Sequence, residues 1–454
     1  MQRDAPGRQT RDEEEAPVAG VIEVRQAVDQ GRIGASLWLV VALLALVTFF
    51  DGYDVFAPAY VIPYAVKAWG LRPSQAGLLV SSGLIGFMIG SLANGPIADR
   101  IGRKPTLTGA LGVAAVLTLA TALLARSYWS FLALRLLTGV GLGMLLPLAV
   151  TLVNEMAPRR ATNRLVGVVM AGWSTGGVAA PLAGATLGRT YGWPALFWIG
   201  GPAVLFAALA VALLRESPRF LAAADRQGEA GAVMCWLLPE RAGDFAGARF
   251  TVEEKGAERG AFRRLLAPEV RSATLVLWLC SACSLFVIFG LSGWVPQAMI
   301  QKGESFGASF GFGALLQFAA VLGGLGCGWL ADRGGPRPVL VAAWTGGALA
   351  VAGLALVNQH WANLAFVAVA GFCVMGAQPV LNTLAASLYP TEIRGTGVGA
   401  ELGVGRLGGI LGPYAGGWLQ ELAPGSAGLF SAMAVAAALS VAAMALFRPG
   451  RRAA

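Results

Sequence analysis

Apolar stretches of about 20 residues recur along the whole chain, separated by short polar segments rich in Arg, Gly and Pro. Each is long enough to cross a hydrocarbon core of about 30 Å as a helix. The pattern places spans at 35–66, 75–97, 105–125, 128–153, 163–187 and 193–214, then at 272–300, 308–330, 338–357, 362–387, 396–420 and 426–447. This predicts an all-α polytopic membrane protein with twelve transmembrane helices in two pseudo-symmetric six-helix bundles, 34–214 and 272–447. Between them, 215–271 is a charged cytoplasmic linker that includes Glu253, Glu254, Lys255, Arg263 and Arg264. Residues 1–33 and 448–454 read as cytoplasmic tails. The first lacks the short apolar core and cleavage site of a signal peptide, so disorder is expected there.

Of the 454 residues, 56% are apolar or aromatic and 13% are charged. A soluble domain carries roughly twice that charged share, which argues against a soluble enzyme. The 62 glycines show no three-residue period and suit close helix contact in lipid. A single histidine, His360, excludes a multi-histidine metal site. Cys280-Ser-Ala-Cys283 has redox spacing but lies in an apolar helix. No phosphate-binding Gly-x-x-x-x-Gly-Lys-Ser/Thr loop is present, so ATP does not drive the protein directly. Neither a cofactor nor a resident metal is expected.

With both termini inside, 27 of the 34 Lys and Arg fall in cytoplasmic segments and five in outer loops. That bias sets the orientation. It also assigns the net charge of +9 to loops facing anionic lipid rather than to nucleic-acid binding.

Three landmarks recur at nearly one offset. Gly95-Pro-Ile-Ala-Asp99-Arg100-Ile-Gly102-Arg103 is echoed by Gly328-Trp-Leu-Ala-Asp332-Arg333-Gly-Gly335-Pro-Arg337, which matches Asp99 to Asp332. Arg160-Ala-Thr162 returns as Arg394-Gly-Thr396, and Pro181 as Pro413, each displaced by almost the same interval as the two aspartates. Two homologous halves packed about an axis normal to the membrane bury a site at their interface, near mid-depth.

The loop Gly95–Lys104 and its copy resemble the signature loop of the major facilitator superfamily. Phe131-x-x-x-Arg135-x-x-x-Gly139-x-x-x-Gly143 resembles that superfamily's fourth-helix arginine motif, and Arg215-Glu216-Ser217-Pro218-Arg219 its close of helix 6. Asp51-Gly52-Tyr53-Asp54, Trp69-Gly70-Leu71 and Gly405-Arg406-Leu407-Gly408 are similar to motifs of its aromatic acid:proton symporters. Glu401 departs from that family's pattern, which has an apolar or aromatic residue there. The resemblance implies the major facilitator fold, a monomer, a bacterial cytoplasmic membrane, and uptake of an aromatic carboxylate by alternating access.

Five charges lie deep in spans: Asp51, Asp54, Arg135, Glu401 and Arg406. A lone charge at the bilayer centre costs at least about 2.5–3.5 kcal/mol, so each needs a partner or a wet cavity. Asp51 lies about 24 Å along its helix, near mid-depth, and Asp54 shares its face. Two buried carboxyls this close disfavour double ionisation, which suits a proton carrier; a pair locked to arginines is the alternative. The resemblance implies that Arg135 neutralises the pair and helps displace the proton.

Arg406 offers a planar fork for a substrate carboxylate, with a salt bridge to Glu401 as the competing use. Tyr53, Trp173 and Trp294 could stack a flat ring, and packing is the plainer role for each. Gln297, Gln378 and Asn382 could bond a ring hydroxyl, or one another. The repeated loops read as gates built from Asp99, Arg100, Arg103, Asp332, Arg333 and Arg337, with Glu155, Arg160 and Arg394 joining the network. The expected partners are therefore a small organic anion, protons and the bilayer. Rival readings are a proton-driven exporter, a sugar or polyol porter, a membrane-embedded enzyme and a sensor without flux. An exporter's helix 5 motif is only partial here, in Gly177-Val-Ala-Ala-Pro181.

Overall fold

The computed structural model describes residues 20–245, 247–252, 261–390, 393–423 and 425–447. The first nineteen residues, the linker residues Glu253, Glu254 and Lys255, and the closing segment 448–454 lie outside them. Among the described residues, eleven helices are long and apolar enough to cross a membrane. These are α1 (Ala35–Tyr60), α2 (Pro73–Ile101), α3 (Arg103–Leu124), α4 (Tyr128–Met156), α5 (Arg159–Tyr191), α6 (Trp193–Leu213), α7 (Arg271–Gln301), α8 (Phe306–Gly334), α9 (Pro336–Leu356), α10 (His360–Leu388) and α12 (Ala427–Leu446). Between the last two runs α11 (Arg394–Leu422), a 29-residue helix whose glycines, Glu401 and Arg406 keep its composition less apolar.

The first span differs from the single helix expected over 35–66. Its α-helix stops at Phe56, tightens into a 3₁₀ turn at Ala57–Tyr60, and a separate helix runs Ile62–Trp69. Pro58 and Pro63 lack the amide proton that an unbroken helix needs there. Gly70, at φ 58°, ends the short helix in the left-handed conformation.

Both repeated loops turn on a glycine at matching positions, Gly102 at φ 106° and Gly335 at φ 83°. A residue with a Cβ is strained at those angles, which accounts for glycine in both copies of the loop.

Contacts between α1–α6 and α7–α12 concentrate at one end. Gly77 of α2 lies against the Pro413 backbone of α11, and Gly417 returns against Pro73 and Ser74. The Ser74 amide and hydroxyl donate to Glu421 Oε1 at 3.0 and 2.6 Å. Ser81 Oγ donates to the Ile410 carbonyl at 2.7 Å. Beside them Tyr60 meets Phe310 edge-on at 5.6 Å, and Tyr64 meets Phe306 at 4.8 Å. At the opposite end, the bonds of the repeated loops stay within one half.

Residues 21–31 are more structured than a disordered tail. Val21–Glu23 (β1) pairs in parallel with Arg249–Thr251 (β2) of the linker, followed by a helical turn at Val24–Gln30. Arg25 Nη1 donates to the Asn154 and Ala157 carbonyls at the end of α4, at 2.6 and 3.3 Å. Val24, Ala27 and Val28 join Leu152, Met156, Phe245 and Phe250 in one apolar core. The apolar face of this segment, short as it is, escapes water by packing on the helix ends. At the far side of the linker, Leu265 is buried against the second half, and Thr274 Oγ1 donates to its carbonyl at 2.9 Å.

Candidate functional site

Asp51 and Asp54 share one face of α1, and the fold treats them differently. Asp54 is gripped from two neighbouring helices. Arg135 of α4 donates through Nη1 and Nη2 to its two oxygens at 3.0 and 2.9 Å, and Thr118 of α3 donates to Oδ2 at 2.9 Å. The Arg135 guanidinium also lies over the Phe197 ring, 5.0 Å from its centroid. Arg135 is 1% exposed and Asp54 4%, so the pair is a closed, dry ion bridge. Arg135 therefore neutralises Asp54 alone, not the pair of acids as expected. Its two Nη groups are taken by that one carboxylate, while its buried Nε has no partner.

Asp51 is 0% exposed, and neither of its oxygens has a hydrogen-bond partner. The charges that act on it are those of Arg406 and Asp54. Next to it, Gly52 lies so close to α5 that a Cβ would overlap the Trp173 carbonyl oxygen. Glycine is thus required there for α1 to approach α5.

Arg406 reaches from α11 across to the first half, its Cζ 4.0 Å from the centroid of Phe87 on α2. It is half-buried, and its side chain makes no hydrogen bond or ion pair among the described residues. The expected alternative, a bridge between Arg406 and Glu401, does not form. Glu401 is 0% exposed with both carboxylate oxygens unpartnered; the Ser281 hydroxyl sits beside it, outside hydrogen-bond geometry. An acid held apart from the guanidinium is a poor contact for an anionic substrate, since like charges repel.

The remaining candidates separate into engaged and open groups. Tyr53 donates its hydroxyl to the Leu196 carbonyl at 2.8 Å, and Trp294 its indole N–H to the Pro413 carbonyl at 2.8 Å. Both are buried and tie helices together. Trp173 is half-buried, touches Phe56 edge-on at 5.2 Å, and has an indole N–H with no acceptor. Gln378 and Asn382 form one chain with a residue that the sequence did not single out. Ser284 Oγ of α7 donates to Gln378 Oε1 at 2.7 Å, and Gln378 Nε2 donates to Asn382 Oδ1 at 3.1 Å. Ser284 is the counterpart of Asp51 at the offset that relates Asp99 to Asp332, so the repeat itself was the signal for it. Gln317 of α8 is a second omission: buried, with Oε1 unpartnered, it faces Gly177 of α5. Gln297 is half-buried.

The first repeated loop is a network. Arg103 pairs with Asp99 at 3.0 Å and Glu155 at 3.4 Å, and lies over Phe220 at 5.2 Å. Glu216 accepts from the backbone amides of Arg103 and Lys104 at 3.0 and 3.1 Å, capping α3. The second loop is sparser. Arg337 donates to the Met444 and Ala445 carbonyls at 3.1 and 2.8 Å. Arg333 stacks on Trp329 at 3.8 Å, and Asp332 is exposed. Arg100 is exposed, and Arg394 Nε donates to the Tyr389 carbonyl at 3.5 Å. Arg160 bonds the Asp29 and Gly31 carbonyls at 3.1 and 2.6 Å, binding the N-terminal segment rather than a gate.

Buried opposite charges facing each other across two sets of apolar helices, sealed at one end, are the parts of a membrane carrier. The chain belongs to the Major Facilitator Superfamily, whose family model matches residues 44–413 and 314–454, and it is homologous to that superfamily's aromatic-acid transporters. It is 37% identical over 94% of its length to a gallate transporter of Pseudomonas putida, covering 95% of that protein. To the 4-hydroxybenzoate transporter PcaK of the same organism it is 35% identical, over 92% of this chain and 94% of that one. The fold matches a partially occluded, inward-open xylose transporter, XylE of E. coli, at TM-score 0.70 and 16% identity, over 92% of this chain and 99% of that one. A bacterial homologue of the human lysosomal transporter Spinster, inward-facing, matches at TM-score 0.68 and 20% identity, over 90% and 94%.

Proposed function

We propose that the chain imports a small aromatic carboxylate together with protons, across a bacterial cytoplasmic membrane, as a monomer with both termini inside. In this reading α1–α6 and α7–α12 are two six-helix bundles that rock about the site between them. The sealed end is the outer one, and the open end faces the cytoplasm. The observation that carries the reading is the relation of Asp51 to Arg406. A buried carboxylate without a partner is costly in its ionised form, and Arg406 is the cation within its field.

Two carboxylates then compete for one guanidinium. With Asp51 protonated, the Arg406 fork is open to the substrate's carboxylate, which it can hold bidentately. Once Asp51 loses its proton to the cytoplasm, its charge takes Arg406 and the substrate is released. Binding of the anion and of the proton therefore favour each other, and that thermodynamic linkage couples them. The Asp54–Arg135 bridge stays closed throughout and fixes α1 against α4. Trp173 supplies a ring and a free N–H. Ser284, Gln378 and Asn382 offer amide and hydroxyl groups to a phenolic substituent, and an amine-free aromatic acid fits that inventory better than a sugar.

The test is uptake of labelled 4-hydroxybenzoate, gallate, benzoate and a non-aromatic acid into proteoliposomes under an imposed pH gradient. With the membrane potential held at zero, the expected result is accumulation of aromatic acids when the outside is more acidic, and none without that gradient. Asp51→Asn should retain exchange of substrate but lose accumulation, and Arg406→Ala should lose both. Uptake indifferent to the gradient, or normal accumulation by both variants, overturns the reading.

A further inference from the structure

Glu401 has no place in that cycle, yet it is the most isolated charge-bearing group in the second half. It is 0% exposed and both oxygens lack partners. The groups that face it are neutral: Ser281 and Cys280 on α7, and Tyr389 beyond α10. Arg406, on the same helix, is turned to Asp51 and Phe87 instead. An ionised carboxylate is costly in such a setting.

Its position on α11 links that isolation to helix packing. Glu401, Gly405, Gly408 and Gly412 fall at helical spacing along one face. The three glycines close directly on α7: a Cβ at Gly405 would overlap Ser281, at Gly408 the Ala282 carbonyl, and at Gly412 the Phe286 carbonyl. These close approaches along the α7–α11 seam shut Glu401 in against α7. Near the seam's open end, Tyr389 donates to Thr274 Oγ1 at 3.2 Å, and Thr274 donates to the Leu265 carbonyl at 2.9 Å. These hydroxyls lead from the level of Glu401 toward the linker.

We propose that Glu401 is a second proton-carrying site, so that each cycle moves two protons with one monoanion. Glu401 lies about 7.5 Å of helix rise from Arg406 and takes its proton from the same side of the membrane as Asp51. It keeps that proton while the seam is shut and releases it to the cytoplasm when the seam parts. No bond changes other than the carboxyl O–H. This rests on the proton-coupled reading above, and it adds a net positive charge to each cycle.

That charge is the measurable consequence. In proteoliposomes with no pH difference and an inside-negative potential of about 100 mV, wild type should accumulate labelled 4-hydroxybenzoate about 50-fold, the factor for one net charge. Glu401→Gln, which keeps the volume of the neutral acid, should lose this potential-driven accumulation and retain the pH-driven one. Asp51→Asn should lose both. Potential-driven accumulation by Glu401→Gln equal to wild type, or a wild type blind to potential, overturns the proposal. Should no acid of the panel move under any gradient, the failure belongs to the proposed function, and Glu401 is then read by infrared spectroscopy of the purified protein. A protonated-carboxyl band present in wild type and Asp51→Asn but missing from Glu401→Gln supports the site, and its absence from wild type overturns it.

Discussion

Asp54 and Glu401 are both buried acids, one in each half of the chain, and they are held in opposite ways. Asp54 has two guanidinium donors and a hydroxyl within 3.0 Å; Glu401 has none within hydrogen-bond geometry. The repeat makes the contrast sharper. At the offset that carries Asp99 onto Asp332, Asp54 and Arg135 correspond to Val287 and Ala368, and Glu155 to Leu388. The second half keeps the helices, the turning glycine and the loop charges Asp332, Arg333 and Arg337, but not the counterparts of Asp54, Arg135 and Glu155. Arg337 accordingly bonds backbone carbonyls where Arg103 bonds carboxylates. Duplication preserved the shape, and the electrostatics diverged: one half is cross-braced by ion pairs, while the other holds an isolated acid and a guanidinium that reaches across the interface.

The largest effect that tests this contrast is at the brace. Arg135→Met leaves Asp54 buried without its cation and should destabilise the protein by about 3–5 kcal/mol, read as a fall in unfolding temperature in detergent. Combining it with Asp54→Asn should recover most of the loss, because the stranded charge is gone. An Arg135→Met protein as stable as wild type would break the comparison outright. Next comes Arg406. A hydrogen bond to a charged group contributes about 1.5–3 kcal/mol, so Arg406→Ala should weaken binding of an aromatic acid by about 10- to 150-fold with little change in melting. Loss of stability without loss of affinity would make it a structural residue instead.

Arg103→Ala removes the link between Asp99 and Glu155 and should cost about 1 kcal/mol, the usual scale for a partly exposed network. Asp332→Ala, its counterpart loop's acid, should stay within about 0.5 kcal/mol. Equal losses at the two loops would show that the second gate has partners in another conformation.

Eleven apolar helices of span length and their order were legible, because apolar runs of that length leave few alternatives, and charges inside the helices stand out. Asp51, Asp54, Arg135 and Arg406 were found for that reason. What the pattern could not reveal is which donor meets which acceptor. Nothing in the spacing of Asp51 and Asp54 says that one is gripped by Arg135 and Thr118 while the other is bare, since that depends on how α3 and α4 rotate against α1. For Tyr53 and Trp294 packing was the plainer reading in sequence, but not that carbonyls of the distant Leu196 and Pro413 would take their polar ends. Ser284 and Gln317 are small or neutral and blend into apolar helices. The strand at Val21–Glu23 is too short to register, because its partner lies beyond the whole first bundle, in the linker.

That small parallel sheet shortens the tether between the moving parts. The linker runs from 215 to 271 on paper, but β2 binds it to the first half through Thr251, and Leu265 binds it to the second. Between Thr251 and Leu265 only fourteen peptide units separate the two anchorages, a reach of at most about 50 Å. The amplitude of any swing at this end is therefore capped by covalent chain length, and the leash is cut to fit by the N-terminal segment.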